Sequence, residues 1–279
     1  EGVHYSFFSP SDLNLLGLPE DAPERHAIRL INPINEDLSL MRTTLAPQMI
    51  HAIARNQKNG CLEGRVYEIG NKFIPKDLPL TEYPDERETI CIGIWGKEEN
   101  FFTLKGLVDT VAETLFIDFE YVEDKKSFLH PYRTAKILYN GEEIGYLGQL
   151  TYQKEEDMRE SAYIAEIDLK ALRPVYGKVP TFAPISKFAK ETRDLALVMN
   201  KSVTCGEVEK AIAEASSFVE SVELFDVYEG LQVGPEKKSM AFTVTFAPKE
   251  EEFTTEAVDG YVKKILKNLN NKLGVELRS

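Results

Sequence analysis

The stretch Val222-Glu223-Leu224-Phe225-Asp226-Val227-Tyr228-Glu229-Gly230 constrains this chain most. It alternates and ends at a glycine, which reads as a strand with two unlike faces. One face takes Phe225 and Val227; the other takes Leu224, Asp226 and Tyr228. As a strand inside a small sheet, it would anchor by its apolar face and offer a carboxylate beside an aromatic ring on the other. Around it the spacing gives a strand over 192–200, a helix from the Thr204 cap to Ala215 and a strand over 218–228. A further strand covers 238–246, a helix runs from Thr255 to Asn271 ahead of Gly274, and a last strand covers 275–278. Glu207 completes a capping box with Thr204. The order is βαββαβ.

That order is the ferredoxin-like one, in which both helices cover one sheet face. The period of two assigns Leu195, Leu197, Met199, Phe225, Val227, Met240, Phe242, Val244, Phe246, Val275 and Leu277 to the helix side. The open side takes Asp194, Ala196, Val198, Asp226, Tyr228, Ser239, Ala241, Thr243, Glu276 and Arg278. A face this small, polar and aromatic suits a nucleobase: Tyr228 to stack, Ala196 to leave room, and Asp226, Ser239 and Arg278 to hydrogen-bond. The same pattern also fits a solvated face or one packed on another domain. Spacing alone leaves these open.

The earlier residues read as mostly antiparallel strands with a few helices, an α+β pattern. Strands are expected over 3–8, 28–31, 65–73, 89–95, 116–122, 135–139, 144–149 and 161–167. Helices are expected near 13–17, from Asn35 through Leu45, Met49, Ile50 and Ile53 to Asn59, and over 102–115. Asn140-Gly141 signals a hairpin, here opening a slightly longer loop. The Pro- and Gly-bearing segment 173–185 marks a boundary, giving modules 1–178 and 186–279.

Charge limits the function. The net charge is −13, which disfavours non-specific nucleic-acid binding. Most of the acid lies early: 20 basic and 30 acidic residues precede Ser186, against 13 and 16 after it. The basic excess near the end is Lys263, Lys264, Lys267, Lys272 and Arg278 against Glu276 alone. Cys61, Cys91 and Cys205 are odd in number and lack C-x-x-C spacing, and the four histidines are scattered, so neither a disulfide framework nor a zinc site is expected. No apolar run is long enough to cross a bilayer. Glu155-Glu156-Asp157 reads as a solvated turn.

Several segments resemble a known family. Ser186-Lys187-Phe188, Arg193-Asp194-Leu195-Ala196, Leu224 to Gly230, Lys238-Ser239-Met240-Ala241-Phe242 and Leu273-Gly274-Val275-Glu276-Leu277-Arg278 resemble the ferredoxin-fold anticodon-binding domain that closes the bacterial phenylalanyl-tRNA synthetase β subunit. Tyr5-Ser6-Phe7, Asn32-Pro33, Ser39 to Pro47, Asn56, Tyr67-Glu68-Ile69-Gly70, Leu104-Lys105-Gly106, His130-Pro131 and Ile144 to Gly148 are similar to the region before it. The order is collinear over nearly all 279 residues.

The resemblance implies a class II synthetase-like antiparallel sheet that has lost its chemistry, followed by an anticodon-binding domain. It implies an α-subunit partner in an (αβ)₂ assembly, phenylalanine tRNA as ligand, a cytoplasmic location and no membrane. ATP and magnesium would serve the whole enzyme, with no cofactor or metal bound by this portion. The editing domain and a magnesium-associated acidic segment would lie upstream of Glu1. The tRNA contacts implied are Ala196, Asp226, Tyr228, Ser239 and Arg278, and no catalytic residue is expected. Class II adenylation uses paired arginines to hold phosphoryl oxygens. Met41-Arg42-Thr43 is the nearest relic and no G-x-G-x-x-R segment follows, so Arg42, Glu68 and Asn56 read as structural. The chain departs from the family at Glu252-Phe253-Thr254-Thr255, where Arg-Thr-Leu-Thr is common, and at Ala189, where Pro is usual. The rival reading is a free-standing RNA-binding or protein-interaction module without catalysis.

Overall fold

A computed structural model describes residues 1–151, 158–182, 187–230, 232–249 and 251–278. The expected turn at Glu155-Glu156-Asp157, together with Ser186 and Glu250, lies outside them. The chain divides into two compact units, Glu1–Pro180 and Thr181–Ser279, and each has its own apolar core.

In the first unit, β1 (Phe7–Phe8) passes straight into α1 (Pro10–Leu15). Ser9 caps that helix: its hydroxyl accepts from the Asp12 N–H at 3.2 Å, and the Asp12 carboxylate accepts from the Ser9 N–H at 2.7 Å. β2 (Leu40–Met41) pairs antiparallel with β1 and leads to α2 (Ala46–Lys58). The helix expected from Asn35 therefore starts later. A single 3₁₀ turn and β2 come first, and Pro47 fits the opening turn of α2. The strand expected at 28–31 reduces to one bridge, Arg29 to Leu40. The strand expected over 3–8 reduces to β1.

A six-stranded antiparallel sheet follows. It contains β3 (Gly64–Ile74), β4 (Asp85–Trp95), β5 (Glu120–Glu123), β6 (Leu129–Tyr139), β7 (Glu142–Leu150) and β8 (Ala162–Asp168), in the order β3-β4-β8-β7-β6-β5. α3 (Phe101–Thr114) lies between β4 and β5 in the chain. Asn140-Gly141 proves to be a two-residue turn with φ of 52° and 81°, shorter than expected, because both residues adopt the left-handed conformation.

The sheet is covered on both faces. Cys91, Trp95, Ala162 and Ile164 pack with Met49, Ile50 and Ile53 of α2. Their alternates Ile92, Ile94, Tyr163, Ala165 and Ile167 pack with Leu104 and Val108 of α3. This explains why the central strands read as near-continuous apolar runs. At Gly93 a Cβ would stand 2.6 Å from Met49 Sδ and 3.0 Å from Ile53 Cδ1, so α2 rests directly on the backbone. Gly93→Ala is expected to lower stability by about 1–3 kcal/mol through overpacking, read as a lower urea midpoint at unchanged slope.

The second unit orders β9 (Glu191–Asn200), α4 (Cys205–Ala215), β10 (Val219–Tyr228), β11 (Lys237–Phe246), α5 (Thr255–Leu273) and β12 (Glu276–Leu277). The sheet order is β10-β11-β9-β12, the arrangement expected of a ferredoxin-like unit. Thr204 and Glu207 form the capping box, Thr254 caps α5, and Gly274 ends α5 at φ 63°. Leu195, Leu197, Met199, Met240, Phe242, Val244 and Phe246 meet Val208, Ile212, Val258, Ile265 and Leu269 of the helices. No described helix is long and apolar enough to cross a membrane.

Two expectations for β10 are corrected here. It is an edge strand, not an interior one. A bulge also breaks its period: Leu224 pairs with Phe242, Asp226 pairs with Ala241, and Phe225 is the extra residue between them. Directly paired residues share a face, so Leu224 joins Val222 and Val227 on the helix side. Phe225 and Val227 do not anchor the strand, being 59% and 51% exposed. Leu277, expected inside, is 52% exposed on the opposite edge. The helices bury the middle strands and leave the sheet edges open.

Candidate nucleic-acid interface

The five residues singled out from sequence all lie in the second unit, and the register shows which meet. β9 and β11 place Ala196 opposite Ala241, and β10 adds Asp226 to that row. The backbone N–H of Arg278 donates to the Ala196 carbonyl at 2.8 Å, which closes the row on the far edge. The next row runs Tyr228, Ser239, Val198 and Glu276. Residues facing one another across neighbouring strands lie on one side, here the side away from α4 and α5.

Small side chains in the middle decide what happens above them. Ala196 and Ala241 leave a shallow floor, and the Arg278 side chain reaches across it to the opposite edge. Its guanidinium carbon lies 5.0 Å from the centroid of the Tyr228 ring, within cation–π range. Its Nη2 donates to Gln232 Oε1 at 3.1 Å. Ser239 is only 3% exposed despite its place on the open side. Asp226 is exposed. Further along the same face the Thr243 hydroxyl donates to Asp194 Oδ1 at 2.7 Å.

Gly230 and Gln232 belong to this arrangement, and neither is among the residues expected to contact tRNA. A Cβ on Gly230 would meet the Tyr228 hydroxyl and lie 2.6 Å from its Cζ, so the missing side chain is what lets the ring lie where it does. A glycine two residues after an aromatic strand end was a usable signal; nothing in the spacing marked Gln232. Gly230→Ala is expected to displace the ring with little loss of stability, seen as a changed Tyr228 proton spectrum at an unchanged melting temperature.

The basic stretch near the end of the chain is not on this face. Val258, Ile265 and Leu269 of α5 pack into the core, which leaves Lys263, Lys264 and Lys267 exposed on the outer side of the helix layer. Arg278 is the one member of that stretch with its side chain over the open face.

The first unit contains a cleft of about 800 Å³ in which Lys72 faces Glu166 and Arg87 faces Asp168. Glu166 accepts from the Thr44 hydroxyl at 2.6 Å and from the Leu45 N–H at 3.0 Å, at the start of α2. That places a carboxylate at the positive end of the helix. Lys72 lies 3.5 Å from Glu166, and Arg87 lies 3.5 Å from Asp168. Nearby, Arg42 donates to Glu68 at 2.8 Å with both side chains 3% exposed, and His4 Nδ1 sits 2.6 Å from the other Glu68 oxygen. Burial alone would raise the Glu68 pKa. The hydrogen bonds from His4 and Arg42, and the Arg42 charge, outweigh it and hold the carboxyl below its ordinary range. Arg42 is thus committed to a structural ion pair. Burial first, then the Glu166 charge, pushes the Tyr146 hydroxyl well up, so this tyrosine stays protonated.

The second unit is an antiparallel ferredoxin-type sheet with one side uncovered by its helices, and a protein-family comparison defines it further. Residues 186–278 match the ferredoxin-fold anticodon binding domain, and residues 1–169 match the phenylalanyl tRNA synthetase beta chain CLM domain. The chain is 33% identical over 283 residues to the phenylalanine–tRNA ligase β subunit of Clostridium acetobutylicum, covering 100% of this chain and 36% of that protein. It is 34% identical over 260 residues to the subunit of the same name from Bacillus subtilis, covering 88% of this chain and 32% of that protein. Among solved structures, the pyrrolysyl-tRNA synthetase of Desulfitobacterium hafniense overlays 61% of each chain at a TM-score of 0.49 and 17% identity. The chain belongs to the phenylalanyl-tRNA synthetase β-chain family. It spans about a third of the length of the curated relatives it matches.

Proposed function

We propose that this chain is the portion of a phenylalanine–tRNA ligase β subunit that scaffolds the catalytic α subunit and reads the anticodon of phenylalanine tRNA. The arrangement over the open sheet carries the reading: Tyr228 and Arg278 above a floor of Ala196 and Ala241, with Asp226 at the edge, inside the region that matches the anticodon-binding family. Tyr228 stacks an anticodon base and Asp226 accepts from its edge. Arg278 contacts base or phosphate, Ala196 shapes the floor, and the Ser239 hydroxyl is a further hydrogen-bonding group of this face.

Residues 1–178 and 186–279 act as two modules, the first non-catalytic. Arg42 pairs with Glu68 and Arg87 with Asp168, which leaves these two arginines poorly disposed to hold a nucleoside triphosphate. ATP and magnesium then act at the α subunit of a cytoplasmic (αβ)₂ enzyme. The acidic chain leaves most phosphate contacts to the rest of that assembly.

Two measurements test this. Purified alone, the chain is expected to support no phenylalanine-dependent ATP–pyrophosphate exchange. In the whole ligase, phenylalanine tRNA carrying altered anticodon bases is expected to show a raised KM. Exchange by the isolated chain would overturn the scaffold role, and an unchanged KM would overturn the anticodon role.

A further inference from the structure

The ring face that a base would use is already occupied. Arg278 is held at three points: its backbone N–H on the Ala196 carbonyl at 2.8 Å, its guanidinium 5.0 Å from the Tyr228 ring centroid, and its Nη2 on Gln232 Oε1 at 3.1 Å. The first point is on β9. The last is in the loop between β10 and β11. The side chain therefore bridges the sheet from one edge to the other.

We infer that Arg278 guards the stacking surface of Tyr228, that Gln232 holds it there, and that a base reaches the ring by exchange with the guanidinium. This rests on the reading of the open face as the anticodon site. A guanidinium and a nucleobase are both flat and both stack on an aromatic face. Only the guanidinium also pairs with phosphate. A nucleotide in a single strand supplies both halves of the exchange: a base for the ring and a phosphate for the released arginine. A duplex backbone supplies phosphate without an unstacked base, and leaves the ring uncovered if it draws the arm away. The exchange thus selects a splayed single-stranded nucleotide over phosphate charge alone. Asp226, exposed on the same face as Tyr228, adds a further penalty to a ligand that brings only phosphates; Glu229 is paired with Lys201 at 2.9 Å.

The guard is tested first without RNA. Tyr228 ring protons, assigned in the 279-residue chain by comparison with Tyr228→Phe, are expected to shift in both Arg278→Lys and Gln232→Ala, because each releases a flat cation from the ring. Unshifted signals in both variants overturn the proposal whatever the face binds. The second arm uses the whole ligase and phenylalanine tRNA. Gln232→Ala is expected to tighten tRNA binding about two- to fivefold, while its salt dependence stays that of the parent because no phosphate-binding charge is removed. Arg278→Ala is expected to flatten that salt dependence by about one counterion. If Tyr228→Ala weakens binding while Gln232→Ala leaves it equal to the parent or weaker, the guard fails and the anticodon reading stands. If Tyr228→Ala has no effect either, both fall.

Discussion

Replacing Tyr228 with alanine in the whole ligase is expected to raise KM for phenylalanine tRNA about tenfold and to leave phenylalanine-dependent ATP–pyrophosphate exchange unchanged. Stacking of a base on an aromatic ring is worth roughly 1–3 kcal/mol by alanine substitution. The lower half of that range applies, because the ring must first give up its contact with the Arg278 guanidinium. A loss of about 1.4 kcal/mol corresponds to tenfold. The fold should survive: Tyr228 ends an edge strand and faces away from the core built by Phe242, Val244, Ile265 and Leu269. Tyr228→Phe should keep most of the affinity, since it retains the stacking face. Equal tRNA kinetics for the alanine variant and the parent would remove Tyr228 from the interface.

The second large effect concerns stability of the first unit. Glu68→Gln is expected to cost roughly 3–5 kcal/mol, the range for removing one partner of a buried ion pair and leaving the other charge unmatched. Arg42 is the charge left behind, with its side chain 3% exposed. Its Nε also donates to the Asn71 carbonyl at 2.8 Å, so it has little freedom to move out to water. The pH dependence has a definite sign. The Glu68 carboxyl is held below its ordinary value of 4.5, so its contribution is fully present above about pH 4.5 and is lost as pH falls through the lowered folded-state pKa. Parent and Glu68→Gln should therefore differ most in urea midpoint at neutral pH and converge in acid. A gap independent of pH would show that the carboxylate charge is not what stabilises the site.

Gly70 belongs to the same construction. A Cβ there would lie 3.2 Å from Glu68 Oε1 and 3.3 Å from Arg42 Cζ. The segment Tyr67-Glu68-Ile69-Gly70 was visible in the sequence as a motif shared with the family, but its reason was not. A period of two says that Glu68 and Gly70 share a face. It does not say that an arginine 26 residues before Glu68 fills the space above the glycine.

The second unit was more legible because its signals are local. Capping at Thr204 and Thr254, the left-handed stop at Gly274 and the alternation in β9 and β11 each depend on neighbours in the chain. The first unit depended on contacts the pattern does not record. β2 is two residues long and exists because β1 is beside it. The short turn at Asn140-Gly141 was marked by its residue types; its length was set by where β6 and β7 pair. On the candidate face, the side taken by Ala196, Asp226, Tyr228 and Ser239 followed from alternation. The reach of Arg278 across the sheet did not, because a long side chain answers to the floor beneath it. Nor did the position of the lysines on α5, since a count of charges carries no direction.

The bulge at Phe225 has a consequence for how the second unit tolerates change. Val222 and Leu224 are in phase with the helices; Asp226 and Tyr228 are in phase with the open side, and one unpaired residue separates the two rhythms. A regular strand carrying these residues would turn Tyr228 inward whenever Val222 pointed inward. The extra residue works as a phase shift, so the strand answers to the core over its first half and turns Asp226 and Tyr228 to the open side over its second. Substitutions at Val222 are then expected to tune stability without moving the tyrosine, and those at Asp226 to change the open side without disturbing the packing.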